Sequence, residues 1–253
     1  MAVYSIHFSP TGGTRAVMDA LCSAWPQVTP IDLTNPTADY TQYRFTADDL
    51  CLIGVPSFGG LVPMPALQRL AAMTGGGAKA VLVAVYGNRA IDDTLTELED
   101  CVKAAGFAVL AGVQAVAHHS LFTQYAVDRP DAEDIAQLRE FSAKIEAAAE
   151  ADGPAPTLPG NRPYKARTPA SFIPALQKPA SCTHCGSCAA RCPMQAITLA
   201  PDVTVDAGKC IACMRCFSIC PAGAIGPDPE KLAAVSARIA PMFEGRKPNT
   251  LFI

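Results

Sequence analysis

The chain has 253 residues, half of them hydrophobic and 17% charged, with a formal net charge of −3. That supplies a sizeable core and excludes disorder as a class, and no apolar stretch reaches the roughly 18 residues of a membrane span. Charge is unevenly spread, with 9 basic against 17 acidic residues over 1–150 and 11 against 6 over 151–253, which suggests two domains.

Ala2–Phe8 reads as a first strand, ending in the turn-rich Ser9-Pro10-Thr11-Gly12-Gly13-Thr14. An amphipathic helix is predicted from Arg15 to about Trp25, then strands at Val28–Leu33 and Leu50–Val55, the second stopped by Pro56. A helix over Pro65–Met73, a strand over Val81–Tyr86 and a helix over Asp92–Ala105 follow, the last with acidic residues in its first turns, as the helix dipole favours. Phe107–Ala117 is a fifth strand and Pro130–Glu150 a long helix. Apolar strands alternating with helices predict an α/β domain over 1–150, a doubly wound five-stranded parallel sheet covered on both faces.

Residues 151–180 change texture. Seven prolines between positions 152 and 179 give a semi-extended linker, stiffer than a Gly/Ser tether. A small domain is expected over 181–228, and a C-terminal helix (Pro229–Met242) with an apolar tail over 229–253.

Eight of the eleven cysteines lie between Cys182 and Cys220, in two copies of one pattern offset by 28 residues. Cys182, Cys185, Cys188 and Cys192-Pro193 form C-x2-C-x2-C-x3-C-P, and Cys210, Cys213, Cys216 and Cys220-Pro221 repeat it without deviation. Met1–Phe8 carries no Lys or Arg ahead of an apolar run, so no secretory signal is expected and metal ligation outranks disulfides. Three thiolates two residues apart on a tight loop suit three irons of a cubane, the fourth ligand coming from the other run. One [4Fe-4S] cluster is therefore assigned Cys182, Cys185, Cys188 and Cys220, the second Cys210, Cys213, Cys216 and Cys192. The alternative is a pair of zinc knuckles, in which the third regularly spaced cysteine has no use. Ile197, Ile211 and Ile225 are expected to wall the clusters from water, and His184 to sit at a solvent edge. This segment resembles the bacterial-type two-[4Fe-4S] ferredoxins over about Ser181–Pro227.

Ser9–Thr14 follows a strand and opens a helix, where backbone amides and hydroxyls can take a phosphate. The segment lacks the Gly-Lys-Ser/Thr of a nucleotide-hydrolysing loop and the G-x-G-x-x-G dinucleotide pattern. Pro56-Ser57-Phe58-Gly59-Gly60 and Tyr86-Gly87-Asn88-Arg89 end the next two buried strands, so three loops converge beyond the carboxyl edge of the sheet. Residues 1–149 resemble the flavodoxins, whose phosphate-loop pattern is matched at Ser9, Thr11, Gly12 and Thr14. The resemblance implies FMN, with Phe58 against the ring, Gly59 and Gly60 in the peptide that answers flavin reduction, and Asn88, Arg89 and Asp93 along the pyrimidine edge. Where a second stacking aromatic often stands, this chain has Ala90-Ile91. Tyr86 is either a cofactor contact or a core residue.

The whole chain resembles bacterial flavodoxin–ferredoxin fusion proteins. That implies an electron-transfer protein joining two [4Fe-4S] clusters to FMN in an anaerobic cytoplasm, with a redox partner protein. The alternative is a ferredoxin-fed FMN-dependent reductase of a small organic substrate, its pocket lined by His118, His119 or Tyr164. Nucleic acid is not an expected partner, since the basic half lacks an aromatic platform. Head-to-tail homodimerisation through the acidic and basic halves stays open. Cys22, Cys51 and Cys101 are expected as small buried hydrophobes, His7 and Trp25 as core, and His118-His119 as a surface pair.

Overall fold

Short apolar runs, each closed by a turn, make strands and helices alternate through the first 150 residues. The computed structural model describes residues 1–151 and 153–253. Its elements in order are β1 (Val3–His7), α1 (Gly13–Leu21), β2 (Thr29–Asp32), β3 (Leu50–Pro56), α2 (Met64–Ala71), β4 (Lys79–Tyr86), α3 (Thr94–Ala104), β5 (Ala108–Val116) and α4 (Ala132–Glu150). The five strands pair in parallel in the order β2-β1-β3-β4-β5, a doubly wound sheet whose order reverses between β1 and β3.

β3 and β4 are buried along nearly their whole length because helices cover both faces of the sheet. One apolar layer gathers Phe8, Ile53, Leu82, Leu95 and Leu98; the other gathers Val17, Met18, Leu52, Val83, Leu138 and Ile145. Asp131 and Asp134 form a capping box that starts α4.

After α4 the chain forms no helix or strand among the described residues until β6 (Ala175–Leu176). Then come α5 (Ser187–Ala190), β7 (Ile197–Thr198), β8 (Thr204–Val205), α6 (Arg215–Ile219), β9 (Ile225–Gly226), α7 (Pro229–Ile239) and β10 (Thr250–Phe252). β6 pairs with β9 and β7 with β8, both antiparallel, around a small core of Val203, Cys216 and Ile225.

The C-terminal tail differs from the sequence expectation in its destination. β10 runs antiparallel along the outer edge of β5, as a sixth strand that covers otherwise unpaired backbone groups. Asn249 secures it, its Oδ1 accepting from Val116 N at 2.9 Å and its Nδ2 donating to Asp134 Oδ1 at 2.9 Å. The linker is likewise bound to the first domain. Leu158 packs on Gly112 of β5, where any Cβ would collide with it, and Thr96 donates to the Pro159 carbonyl at 2.8 Å.

The opposed charges of the two halves meet within the chain. Arg162 pairs with Glu99 and Asp100, Lys165 with Asp92, Arg167 with Glu97, and Arg246 with Asp131. Among the described residues, no helix is long and apolar enough to cross a membrane.

Candidate functional site

The two cysteine runs repeat in backbone conformation as well as in spacing. His184 and Ala212 are left-handed at φ 50°, as are Gly186 and Met214 at 75° and 62°, and Gln195 and Gly223 at 49° and 55°. Each pair is separated by the same 28 residues. Non-glycine residues rarely adopt this conformation; here it curls each loop so that its cysteines face inward. Gly186 and Met214 then start α5 and α6, which carry Cys188 and Cys216.

The turns gather the thiols into two sets. Cys182, Cys185, Cys188 and Cys220 line one cavity, walled by Leu176, Leu199, Val203 and Ile225. Cys192, Cys210, Cys213 and Cys216 line a second, walled by Ile197, Val205, Ile211 and Met214. The fourth cysteine of each run thus lies in the cavity of the other. Among the described residues, no three His, Cys, Asp or Glu side chains converge as they would on a single metal ion. Each cavity is lined by four thiols, the number that a [4Fe-4S] cluster takes.

Backbone amides point at the sulfurs. Ala196 N lies 3.4 Å from Cys192 Sγ, Ala224 N 3.3 Å from Cys220 Sγ and Ala212 N 3.4 Å from Cys210 Sγ. Burial acts to raise the Cys220 thiol, but the amides of Ala224, Ile225, Ala222 and Gly223 outweigh it and leave the thiol below its ordinary value. Burial pushes Cys213 and Cys216 up to about 12; ligation by metal deprotonates such thiols outright.

A third cavity, of about 490 Å³, opens at the carboxyl edge of the sheet. Ser9, Pro10, Thr11, Gly13, Thr14, Pro56, Ser57, Phe58, Gly59, Tyr86, Gly87 and Arg89 line it. Gly12 precedes α1 at φ 95°, and Gly13 lies so close to Ala117 that its Cβ would stand 3.1 Å from that methyl. Ser9 Oγ accepts from Arg15 N at 2.9 Å, and no acidic residue occupies the first turn of α1. Phe58 and Leu61 exchange backbone hydrogen bonds across Gly59 and Gly60, both at positive φ, a turn that demands residues without a Cβ penalty. Tyr86 lines the cavity and is also part of the buried core, its hydroxyl donating to the Pro248 carbonyl at 3.1 Å.

Gly60, Asn88 and Asp93 are engaged elsewhere. Gly60 lies against Asp92, and its carbonyl accepts from Asp93 N at 3.0 Å. Asn88 donates to the carbonyls of Phe243 and Gly245 at 2.7 and 2.8 Å and accepts from Lys247 N, so it holds the C-terminal tail. Asp93 accepts from Lys165 N, Asn161 N and Asn161 Nδ2 at 2.7, 2.8 and 2.9 Å, and these bonds hold its carboxyl below the ordinary range. Asp93→Ala is therefore expected to free the linker. Each charge-assisted hydrogen bond contributes about 1.5–3 kcal/mol, and 1.4 kcal/mol is tenfold in an equilibrium, so tryptic cleavage at Lys165 and Arg167 rises about tenfold or more. Timed digestion read by mass spectrometry checks this; cleavage at the wild-type rate refutes it.

Sequence reasoning did not foresee the outer wall. Linker residues Ala166–Phe172, the cluster-loop residues Cys210, Ile211 and Ala212, and Phe243 all line the third cavity. Phe243 stacks on Tyr125 with centroids 4.4 Å apart and packs beside His119 and Phe122. His119, taken as a surface residue, is driven down to about 4 by burial, and its Nδ1 accepts from Leu121 N and Phe122 N. Its neutral ring therefore carries the proton on Nε2. Tyr164 donates instead to Asp100.

The 4Fe-4S dicluster domain family matches residues 181–224. Among solved structures, a flavodoxin from the domain Archaea is similar at 14% identity and TM-score 0.44, covering 60% of this chain and 100% of its own. Oxidised Flavodoxin 2 from Bacillus cereus is similar at 13% identity and TM-score 0.43, covering 58% and 99%. The strand order gives a flavodoxin-like doubly wound sheet, and it is followed by the segment that matches the 4Fe-4S dicluster domain family over residues 181–224.

Proposed function

We propose that this chain relays single electrons between two [4Fe-4S] clusters and an FMN held in the same polypeptide. In this reading Cys182, Cys185, Cys188 and Cys220 hold the first cluster, and Cys192, Cys210, Cys213 and Cys216 hold the second. The Ser9–Thr14 loop and the start of α1 take the FMN phosphate, with Phe58 beside the ring. Ala90 lines the flavin cavity while Ile91 is buried in the core, and Ile211 and Ala212 supply apolar cover from the cluster loop. When bound, the clusters supply one-electron transfer and the flavin takes electrons singly and stores two.

One observation carries the proposal. Cys210 lines both the second thiol cavity and the large cavity of the first domain. A ligand of one centre thereby forms part of the wall of the other, and the bound linker and tail hold the two domains in that register.

Anaerobic reconstitution is expected to yield iron and sulfide for two cubanes and one FMN per chain. A one-electron donor then reduces the flavin in a phase whose rate does not depend on protein concentration, since donor and acceptor are tethered. Clusters that reduce while FMN stays oxidised, despite a favourable potential gap, sink the relay.

The reductase reading has its support in His118 and His119 on the cavity wall. Against it stand the linker residues and cluster loop that occupy the same wall. Sustained turnover of a small organic acceptor, beyond the nonspecific reactivity of reduced flavin, distinguishes the two.

A further inference from the structure

The 28-residue repeat is broken at one chemically decisive position. Between the second and third cysteines of the first run stands Ser187; at the equivalent place in the second run stands Arg215. Both follow the left-handed residue that opens a short helix, so the two side chains start from equivalent backbone.

Their surroundings differ. Ser187 Oγ lies 3.5 Å from Cys185 Sγ at the first cavity. Arg215 lines the second cavity, among Ile197, Val205, Ile211 and Met214. One of its terminal nitrogens donates to Thr34 Oγ1, across the domain boundary, at 3.0 Å. Its Nε is buried and has no acceptor among the described residues, and no carboxylate there pairs with it. A second guanidinium stands close by, where Arg69 of α2 donates to the Pro193 carbonyl at 2.7 Å, next to Cys192. No Lys or Arg lines the first cavity among the described residues.

A positive charge held in apolar surroundings favours whichever state of its neighbour is more negative. A cluster becomes more negative by one charge on reduction. We propose that Arg215 raises the potential of the cluster in the second cavity above that in the first, so that electrons settle beside the flavin cavity. The transfer is one electron lost by the first cluster and one gained by the second; no bond or proton changes. The electron enters from a one-electron protein donor. This inference rests on the two-cluster reading above and adds a direction to it.

Arg215 is a positioning residue for charge, so its test reads a potential. The full chain, purified without air, is titrated potentiometrically with EPR detection as wild type, Arg215→Gln and Arg215→Lys. In R215Q the equilibrium between the clusters is expected to fall about tenfold, which is 59 mV for a one-electron couple. R215K keeps most of the wild-type separation because it keeps the charge. Unchanged potentials in R215Q overturn the proposal, as does an R215K shift equal to that of R215Q. Loss of the second cluster in R215Q alone also overturns it, since Arg215 then serves assembly. A wild-type chain without iron overturns the cluster reading instead, which separates the two failures.

Discussion

Serine in place of Cys210 is expected to lower the iron of the anaerobically reconstituted protein to about half, leaving one cubane of the pair. The first cavity keeps its whole sulfur set, since Cys182, Cys185, Cys188 and Cys220 are untouched. The second loses a cysteine that also lines the large cavity. FMN, which in the proposed reading the Ser9–Thr14 and Phe58 loops hold, is expected to stay bound, but its reduction becomes concentration-dependent because the tethered route is cut. Iron and flavin counts with stopped-flow reduction at two protein concentrations check this. Cys101→Ala is the control, since Cys101 packs against the sheet core and its thiol is raised to about 11 by burial. Full iron content in C210S sinks the ligand assignment; a surviving concentration-independent phase sinks the role given to the Cys210 edge.

The parts legible in the sequence are those whose partners are local or periodic. β3 and β4 announce themselves because a strand covered on both faces is apolar throughout. The grouping of the cysteines is legible because the two runs repeat one spacing, and each cavity is lined by three cysteines of one run and the fourth of the other. The left-handed turns at Ala212, Met214 and Gln195 are not, since none of those residues signals positive φ. Nor are the roles of Asn88 and Asp93. Each sits beside the cavity in sequence, but its polar atoms are claimed by backbone arriving from the tail and the linker. Their partners are 155 and 68 residues away along the chain, and no local pattern encodes such pairings.

The dicluster segment is tied to the first domain on both sides, by Leu158–Arg167 before it and by Phe243–Phe252 after it. A segment bound at both ends has little freedom to swing away, so the shared wall at Cys210 persists instead of depending on a chance encounter. The proline-rich stretch works less as a tether than as a strap, its polar groups paired along α3.

The buried carboxylate of Asp134 is where that second anchor is most exposed to damage. It starts α4 with Asp131, accepts from Arg129 Nε at 2.7 Å, and takes bonds from Arg246 and Asn249 of the tail at 3.1 and 2.9 Å. Arg129 also donates to the Lys247 carbonyl at 2.8 Å. Asp134→Asn removes the charge but keeps the shape, so Arg129 is left buried without its counter-ion, a loss of about 3–5 kcal/mol. Against a total stability of about 5–15 kcal/mol this is large. Chemical denaturation should report it, and hydrogen exchange should show β10 opening first. Arg246→Gln is expected to change less, since Arg246 is itself largely exposed and its loss leaves Arg129 and Asn249 on the carboxylate. Burial acts to raise the Asp134 carboxyl, but its bonds to Arg129, Asp131 and Asn249 prevail and hold it below the ordinary 3.8. Its contribution is therefore complete above about pH 4 and fades as acid carries the protein down through the depressed folded value. The D134N variant lacks that part of the acid dependence, so the two stability curves converge at low pH. A D134N curve that runs parallel to wild type down to pH 2 refutes the assignment of this carboxylate as the clasp of the tail.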